Sequence, residues 1–133
     1  MEGVVLTDGT ALQFSAADPD AHGRIVAVVA TCGPDIVGVA RYDRLPGVDQ
    51  AELAVEVDED FHGRGVGTAL LQRLATFAHD RGIARLIATT APEHGRLRRM
   101  VRQAGFEAAS VYDGRTVKVA FSTAPVPQWW RAT

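Results

Sequence analysis

Several features that would narrow the function are scarce or missing in this chain of 133 residues. It contains one cysteine, Cys32, which excludes an internal disulfide framework and any metal site built from several cysteines. No apolar run approaches the ~20 residues that a membrane-spanning helix needs, and the N-terminus lacks the pattern of a signal peptide. We therefore expect a soluble cytoplasmic domain that does not act at a membrane.

Neither sign of charge is in large excess, since the net charge is only −2. Thirteen of the fourteen basic residues are arginines, and the balance gives no bulk attraction to nucleic acid. Four arginines nevertheless crowd into one segment: Arg96, Arg98, Arg99 and Arg102. They fall opposite the apolar stripe of a predicted helix, so they form either a solvated face or a patch that attracts a phosphate or an acidic partner.

The apolar fraction of 47% is high enough for a folded core and excludes intrinsic disorder as the default. Runs rich in β-branched residues predict strands over 23–31, 35–42, 51–57, 84–90, 108–113 and 116–121. Turn residues at 32–34 and 114–115 predict that the first two and the last two of these strands form hairpins. In the strand over 51–57, Leu53, Val55 and Val57 share one face, and Glu52, Ala54 and Glu56 share the other.

Two stretches instead have the spacing of an amphipathic helix. The first lies beyond Gly67 and ends near Gly82, and the second ends at Gly105. The short crossover between the strands over 51–57 and 84–90 predicts that they pair in parallel. The prediction is a single α/β domain whose mixed, mostly antiparallel sheet contains one parallel strand–helix–strand unit and carries two main helices.

The segment between the third of these strands and the first helix has the composition of an anion site. Its sequence is His62-Gly63-Arg64-Gly65-Val66-Gly67-Thr68, with glycine at alternate positions. Backbone N–H groups at a helix N-terminus favour a phosphate or pyrophosphate, here with Arg64 beside it. The segment lacks the Gly-Lys-Ser/Thr ending of a P-loop and the third glycine of a dinucleotide fingerprint. The glycines could equally serve the turn alone.

At this point the residues resemble a known family. The stretch AELAVEVDEDFHGRGVGTALLQRLATFAHDRGI is similar to the acetyl-CoA-binding core of the GNAT (GCN5-related N-acetyltransferase) family, and APEHGRLRRMVRQAGF is similar to its next segment. Within the family, the chain most resembles the catalytic domain of bacterial protein lysine acetyltransferases. The segment VVLTDGTALQF is similar to the opening strand of that domain. The resemblance implies a GNAT-like domain over 1–122 and a C-terminal tail over 123–133.

The resemblance also implies roles for individual residues. Glu52 would be the general base that deprotonates an amine so that it attacks the thioester of acetyl-CoA directly. The strand end at Val55, Glu56 and Val57 would hold the pantetheine arm and the acetyl group. The pyrophosphate would bind the loop residues His62, Gly63, Arg64, Gly65, Val66, Gly67 and Thr68, and His94 stands where an asparagine often contacts the coenzyme. The acceptor would be a protein lysine or another primary amine.

The chain departs from the family in two ways that bear on catalysis. Val101 stands at the position of a tyrosine that commonly protonates the leaving thiolate, with Tyr112 the nearest tyrosine in sequence. Only the eight residues 15–22 separate the opening strand from the next strand. This segment is too short for the two helices that, in the family, form one wall of the acceptor site. Either the open site accommodates a protein, or a second copy in a homodimer closes it, or the chain is a non-catalytic acetyl-CoA-binding or regulatory module. Trp129 and Trp130 pack either on this chain or on such a copy.

Overall fold

The computed structural model describes residues 2–6, 8–18, 23–90 and 95–124. His94, Trp129 and Trp130, for which the sequence predicts a coenzyme contact and a packing role, lie outside these ranges. In the described part of the chain, neither α-helix is long and apolar enough to cross a membrane.

Eight strands and two helices make up the domain. The strands are β1 (Glu2–Val5), β2 (Ala11–Ala17), β3 (Ile25–Cys32), β4 (Asp35–Arg44), β5 (Gln50–Val57), β6 (Arg85–Thr90), β7 (Ala108–Tyr112) and β8 (Val117–Ser122). The helices are α1 (Val66–Asp80) and α2 (Arg96–Gln103), and a short 3₁₀ turn at Glu59–Phe61 precedes the glycine loop. The predicted strands and helices are confirmed to within a few residues.

All eight strands form one mixed sheet with the order β1-β2-β3-β4-β5-β6-β8-β7. The pairing of β5 with β6 is parallel and every other pairing is antiparallel. This is the single α/β domain with one parallel strand–helix–strand unit that the sequence predicts. The opening segment differs from the prediction, because it folds into the two-stranded hairpin β1–β2. Asp8 and Gly9 make the turn between these strands, and such residues favour turns over extended chain.

Both helices pack on the same face of the sheet. Helix α1 contacts β3, β4 and β5, and α2 contacts α1, β7 and β8. The side chains of α1 that face the sheet are fully buried: Leu70, Leu71, Leu74, Ala75 and Ala78. On this helix face of the sheet Tyr42, Ala51 and Leu86 are also fully buried. The apolar face of a sheet must be covered by another layer, and here the two helices provide it.

The opposite face of the sheet has no helix on it in the described part of the chain. Between β2 and β3 only Asp18, Gly23 and Arg24 are described, and none of them is helical. On this open face Glu52, Ala54 and Glu56 of β5 are exposed, and Asp43 of β4 pairs directly with Glu52. One strand thus presents carboxylates to one side of the sheet and apolar side chains to the other.

Candidate functional site

The sheet splits between its two parallel strands. Only three residue pairs join β5 to β6, and the last is Glu52 with Ile87. Beyond that pair β5 stays on β4 as far as Val57, and β6 stays on β8 as far as Thr90. The two strands therefore diverge from Glu52 onward and leave a wedge-shaped gap in the middle of the sheet.

A cleft of about 570 Å³ occupies this gap on the helix face. The end of β5 supplies Val55 and Val57 as one wall, and α2 supplies the other. The remaining lining residues come from the loop, α1 and α2: Phe61, His62, Gly63, Gly65, Val66, Gly67, Thr68, Arg96, Arg99, Met100 and Gln103. A smaller cavity of about 320 Å³ continues from it along Val55 and α2 to Thr90 of β6. Together they give a channel that leads from the loop into the split.

Backbone donors at the start of α1, beside the cleft, have no partner within the helix. Gly63 and Gly65 have φ values of 74° and 85°, a conformation that side-chain-bearing residues rarely adopt. The first backbone hydrogen bond of α1 runs from the Ala69 N–H to the Gly65 carbonyl, at 3.0 Å. The N–H groups of the three preceding helical residues therefore have no partner within the helix. This end of α1 can accept a phosphate, which would satisfy those donors and the positive end of the helix dipole.

His62 joins the two walls of the cleft. Its Nε2 donates to the Val57 carbonyl at 2.7 Å, and its Nδ1 accepts from Nη1 of Arg96 at 2.8 Å. The carbonyl can only accept and the guanidinium can only donate, so the proton in this arrangement is on Nε2. His62 thus fixes the first residue of α2 relative to the end of β5. The Val57 carbonyl is therefore already hydrogen-bonded. The backbone groups of Val55, two residues earlier, point to the same edge of β5, which borders the gap.

The side chain of Arg64 has a partner that the sequence does not indicate. Arg64 is not among the residues that line the cleft. Its guanidinium forms an ion pair with Asp8 in the β1–β2 turn, with Nη2 2.6 Å from Oδ2. Only its backbone remains beside the loop's donors. A sequence pattern places a side chain near a loop but does not say which of two flanking segments it will contact.

The two glutamates of β5 lie on the other side of the sheet from the cleft. Glu52 is exposed at the apex of the split, where the parallel pairing ends. Glu56 is also exposed and lines a more open cavity of about 470 Å³, which shares Val55, Val57 and His62 with the cleft. A ligand that enters the channel from the helix face would therefore reach Glu52 only through the gap between the strands.

Helix α2 contributes residues to the cleft, among them two of the arginines for which the sequence leaves both a solvated face and a phosphate-attracting patch open. Arg96 and Arg99 line the cleft, so they do not belong to a face that is only solvated. Met100, which the periodicity places in the apolar stripe, is half-buried and lines the cleft. Gln103 also lines the cleft, and its position one turn after Arg99 is the sequence signal for this role.

Neither residue considered for proton delivery to a leaving group can reach the channel. Val101 is fully buried in the core and has no titratable atom. Tyr112 is 63% exposed at the end of β7 and donates its hydroxyl to the Gly114 carbonyl at 3.0 Å. No tyrosine hydroxyl lines the cavities of the described chain at this position.

Comparisons with known proteins agree with this geometry. Residues 6–106 match the model of the Acetyltransferase (GNAT) family. Among solved structures, the GNAT domain of PAT from S. lividans is 23% identical with a TM-score of 0.77, and the match covers 91% of this chain and 96% of that one. The ribosomal-protein-S18-alanine N-acetyltransferase of Escherichia coli is 18% identical with a TM-score of 0.65, covering 88% and 97%.

A cAMP-binding acyltransferase from Mycobacterium smegmatis is 19% identical with a TM-score of 0.77. The match covers 94% of this chain and 48% of that protein, so the chain spans about half of that protein's length. At such identities the structures show the fold, whereas the family model spans most of the chain. The chain belongs to the GNAT acetyltransferase family, whose members take acyl groups from acyl-CoA.

Proposed function

We propose that this domain transfers the acetyl group of acetyl-CoA to a primary amine, with Glu52 as the general base. The observation that carries the proposal is the split in the sheet. The glycine loop and a channel lie on one face of the sheet, and Glu52 lies on the other face at the apex of the same gap. The donor and the acceptor would thus approach the reacting bond from opposite sides of the sheet.

The residues of the cleft fit the parts of the donor. The pyrophosphate would be held by the N–H groups of the loop and the start of α1, which have no partner within the helix. The pantetheine arm would lie along Val55, whose backbone faces the gap, and against Met100. Arg96 and Arg99 add positive charge at the cleft for a further phosphate. The outer rim of the cleft is therefore suited to anions and its inner part to an uncharged chain.

Glu52 would remove a proton from the acceptor ammonium, directly or through water. The free amine then attacks the carbonyl carbon of the thioester, the C–N bond forms, and the C–S bond breaks. Because Val101 is apolar and Tyr112 is engaged on its own turn, the leaving thiolate would take its proton from water. Asp43, paired with Glu52 across the strands, adds a second negative charge that favours a cationic acceptor.

The acceptor is a protein lysine or a small amine, and the open face accommodates either. Glu52 is exposed there, and no helix of the described chain narrows the approach to it. A second copy of the chain that covers this face would restrict access to small amines. Screening folded proteins and free amines, with sedimentation to determine the oligomeric state, separates these cases.

The first test is calorimetric titration with acetyl-CoA beside desulfo-CoA and ATP. Micromolar binding that needs the pantetheine arm supports the proposal, and equal binding of ATP contradicts it. The open face of the sheet, which no helix of the described residues covers, favours a second function, that of a non-catalytic acetyl-CoA-binding or regulatory module. Binding of acetyl-CoA without transfer to any amine would establish that module and refute the enzyme.

The arginines of α2 provide a matched comparison within one helix. Replacing both Arg96 and Arg99 by glutamine is expected to weaken binding of acetyl-CoA roughly tenfold, because two charge-assisted contacts are lost from a cleft that is open to solvent. The same change at the exposed Arg98 and Arg102, which do not line the cleft, should alter affinity less than twofold. Titration of each double variant at two salt concentrations measures this, and equal losses would contradict a role for Arg96 and Arg99.

A further inference from the structure

The side chain of Arg64 connects the glycine loop to the β1–β2 turn. Its Nη2 donates to Asp8 Oδ2 at 2.6 Å and to Thr10 Oγ1 at 2.7 Å, and its guanidinium lies 4.5 Å from the ring centroid of Phe61. We propose that Asp8 and Thr10 are positioning residues, which act through Arg64 to hold the loop in its binding shape before the coenzyme arrives. This rests on the proposed function, because it takes the loop to be the coenzyme site.

The loop needs such an anchor because of its own composition. Arg64 stands between Gly63 and Gly65, both in the left-handed conformation. Glycine loses more conformational freedom on ordering than any other residue, so a free loop would have to be ordered by the ligand at the expense of affinity. An arginine that is fixed between the two glycines restricts both in advance, and such preorganisation strengthens binding without adding a contact to the ligand.

The anchor on the β1–β2 turn is itself well fixed. Asp8 Oδ1 accepts from the Thr10 N–H at 2.9 Å, while the Leu6 N–H donates to the Thr10 carbonyl at 2.8 Å and closes the turn. The backbone N–H and hydroxyl of Thr10, and then Arg64, hold the pKa of Asp8 below its ordinary value. The contribution of this carboxylate is therefore complete at neutral pH and is lost only as the pH falls through that lowered pKa.

From the sequence of the loop alone, one would expect the side chain of Arg64 to lie beside the phosphate. Its surroundings argue against this, since leaving Asp8 would also break the contacts with Thr10 and Phe61 and the 3.4 Å bond to the Asp60 carbonyl. The two interpretations predict opposite effects at Asp8. If Asp8 positions the loop, its loss weakens coenzyme binding; if Asp8 only competes with the phosphate for Arg64, its loss strengthens binding.

The test compares Asp8→Asn, Arg64→Met and the double variant with the wild-type chain. Arg64→Met keeps an apolar stem over Phe61 but removes every donor. Titration with acetyl-CoA should give about a tenfold weaker Kd for each single variant, and the double variant should be no weaker than either, because both break the same link. Hydrogen exchange of the ligand-free protein should show faster exchange at residues 63–68. Asp8→Glu should recover part of the affinity.

Asp113→Asn is the matched control. Asp113 fixes the β7–β8 turn by accepting from the backbone N–H groups of Arg115 and Thr116 at 2.9 and 2.8 Å, as Asp8 fixes the β1–β2 turn, but Arg64 of the glycine loop bonds to Asp8 instead. This variant should leave both the Kd and the exchange of 63–68 as in wild type. Unchanged or tighter binding in Asp8→Asn, or unchanged loop exchange, would overturn the proposal. A wild-type chain that fails to bind acetyl-CoA would instead refute the proposed function, and the exchange comparison would still decide whether Asp8 orders the loop.

Discussion

Gly65→Glu is expected to reduce acetyl-CoA binding by at least about 100-fold, equivalent to roughly 2.7 kcal/mol, in a chain that stays folded. Gly65 has a φ of 85°, so any side chain there is strained by roughly 1–2 kcal/mol. The added carboxylate would stand beside the N–H groups of Val66 and Gly67 and compete for the donors that a phosphate needs. A Cβ at this position meets nothing within 4 Å, so no overlap threatens the fold. Calorimetric titration and thermal unfolding measure the two effects.

Two further variants separate charge from backbone strain. Gly65→Ala carries the strain without the charge and should weaken binding by much less than Gly65→Glu. Gly47→Glu carries both, in an exposed loop with a φ of 74° and nothing within 4 Å of a Cβ, at the far end of β5. It should bind acetyl-CoA as the wild type does. Tight binding in Gly65→Glu would mean that the loop is only a structural turn.

The order of strands and helices could be predicted because local patterns determine it. Alternation along β5 placed Leu53, Val55 and Val57 on one face and Glu52 on the other, and the structure confirms this. The short crossover through α1 forced parallel pairing with β6, which is also observed. Each of these inferences depends only on residues that are close in sequence.

The split itself could not be predicted from the residues of β5 and β6. It depends on where the pairing stops, and both strands continue for several residues beyond the last pair at Glu52. The point at which two strands diverge depends on the twist of the whole sheet, and that twist involves strands that are distant in sequence. The partners of Arg64 were unpredictable for the same reason, since Asp8 lies 56 residues away.

The role of α2 was only partly visible in its sequence. Val101 is buried, as its spacing from Leu97 and Ala104 indicates, but the side chains of a helix at the rim of a cleft face the core, the cleft or the solvent. Arg96 and Arg99 are polar and line the cleft, so they are neither core residues nor purely solvated ones. A binary apolar and polar pattern cannot distinguish such residues from the solvated Arg98.

Glu52→Gln is expected to lower the turnover of acetyl transfer by about 10²-fold or more, the usual contribution of a general base, with little change in the Kd for acetyl-CoA. Glutamine keeps the shape but cannot accept the proton of an ammonium at neutral pH. Glu52 does not line the channel, so the donor should bind as before. Release of free thiol with an amine that the wild type acetylates measures turnover, and titration measures the Kd.

Glu56→Gln decides between the two carboxylates of the same strand face. Glu56 lies about 13 Å further along β5, away from the apex of the split, so its loss should affect turnover far less than that of Glu52. Glu107→Gln, in the exposed connection between α2 and β7, controls for the change in net charge. A larger loss at Glu56 would assign the base to it. Equal turnover in all three would leave water as the proton acceptor, because the split brings no other carboxylate of β5 to the reacting bond.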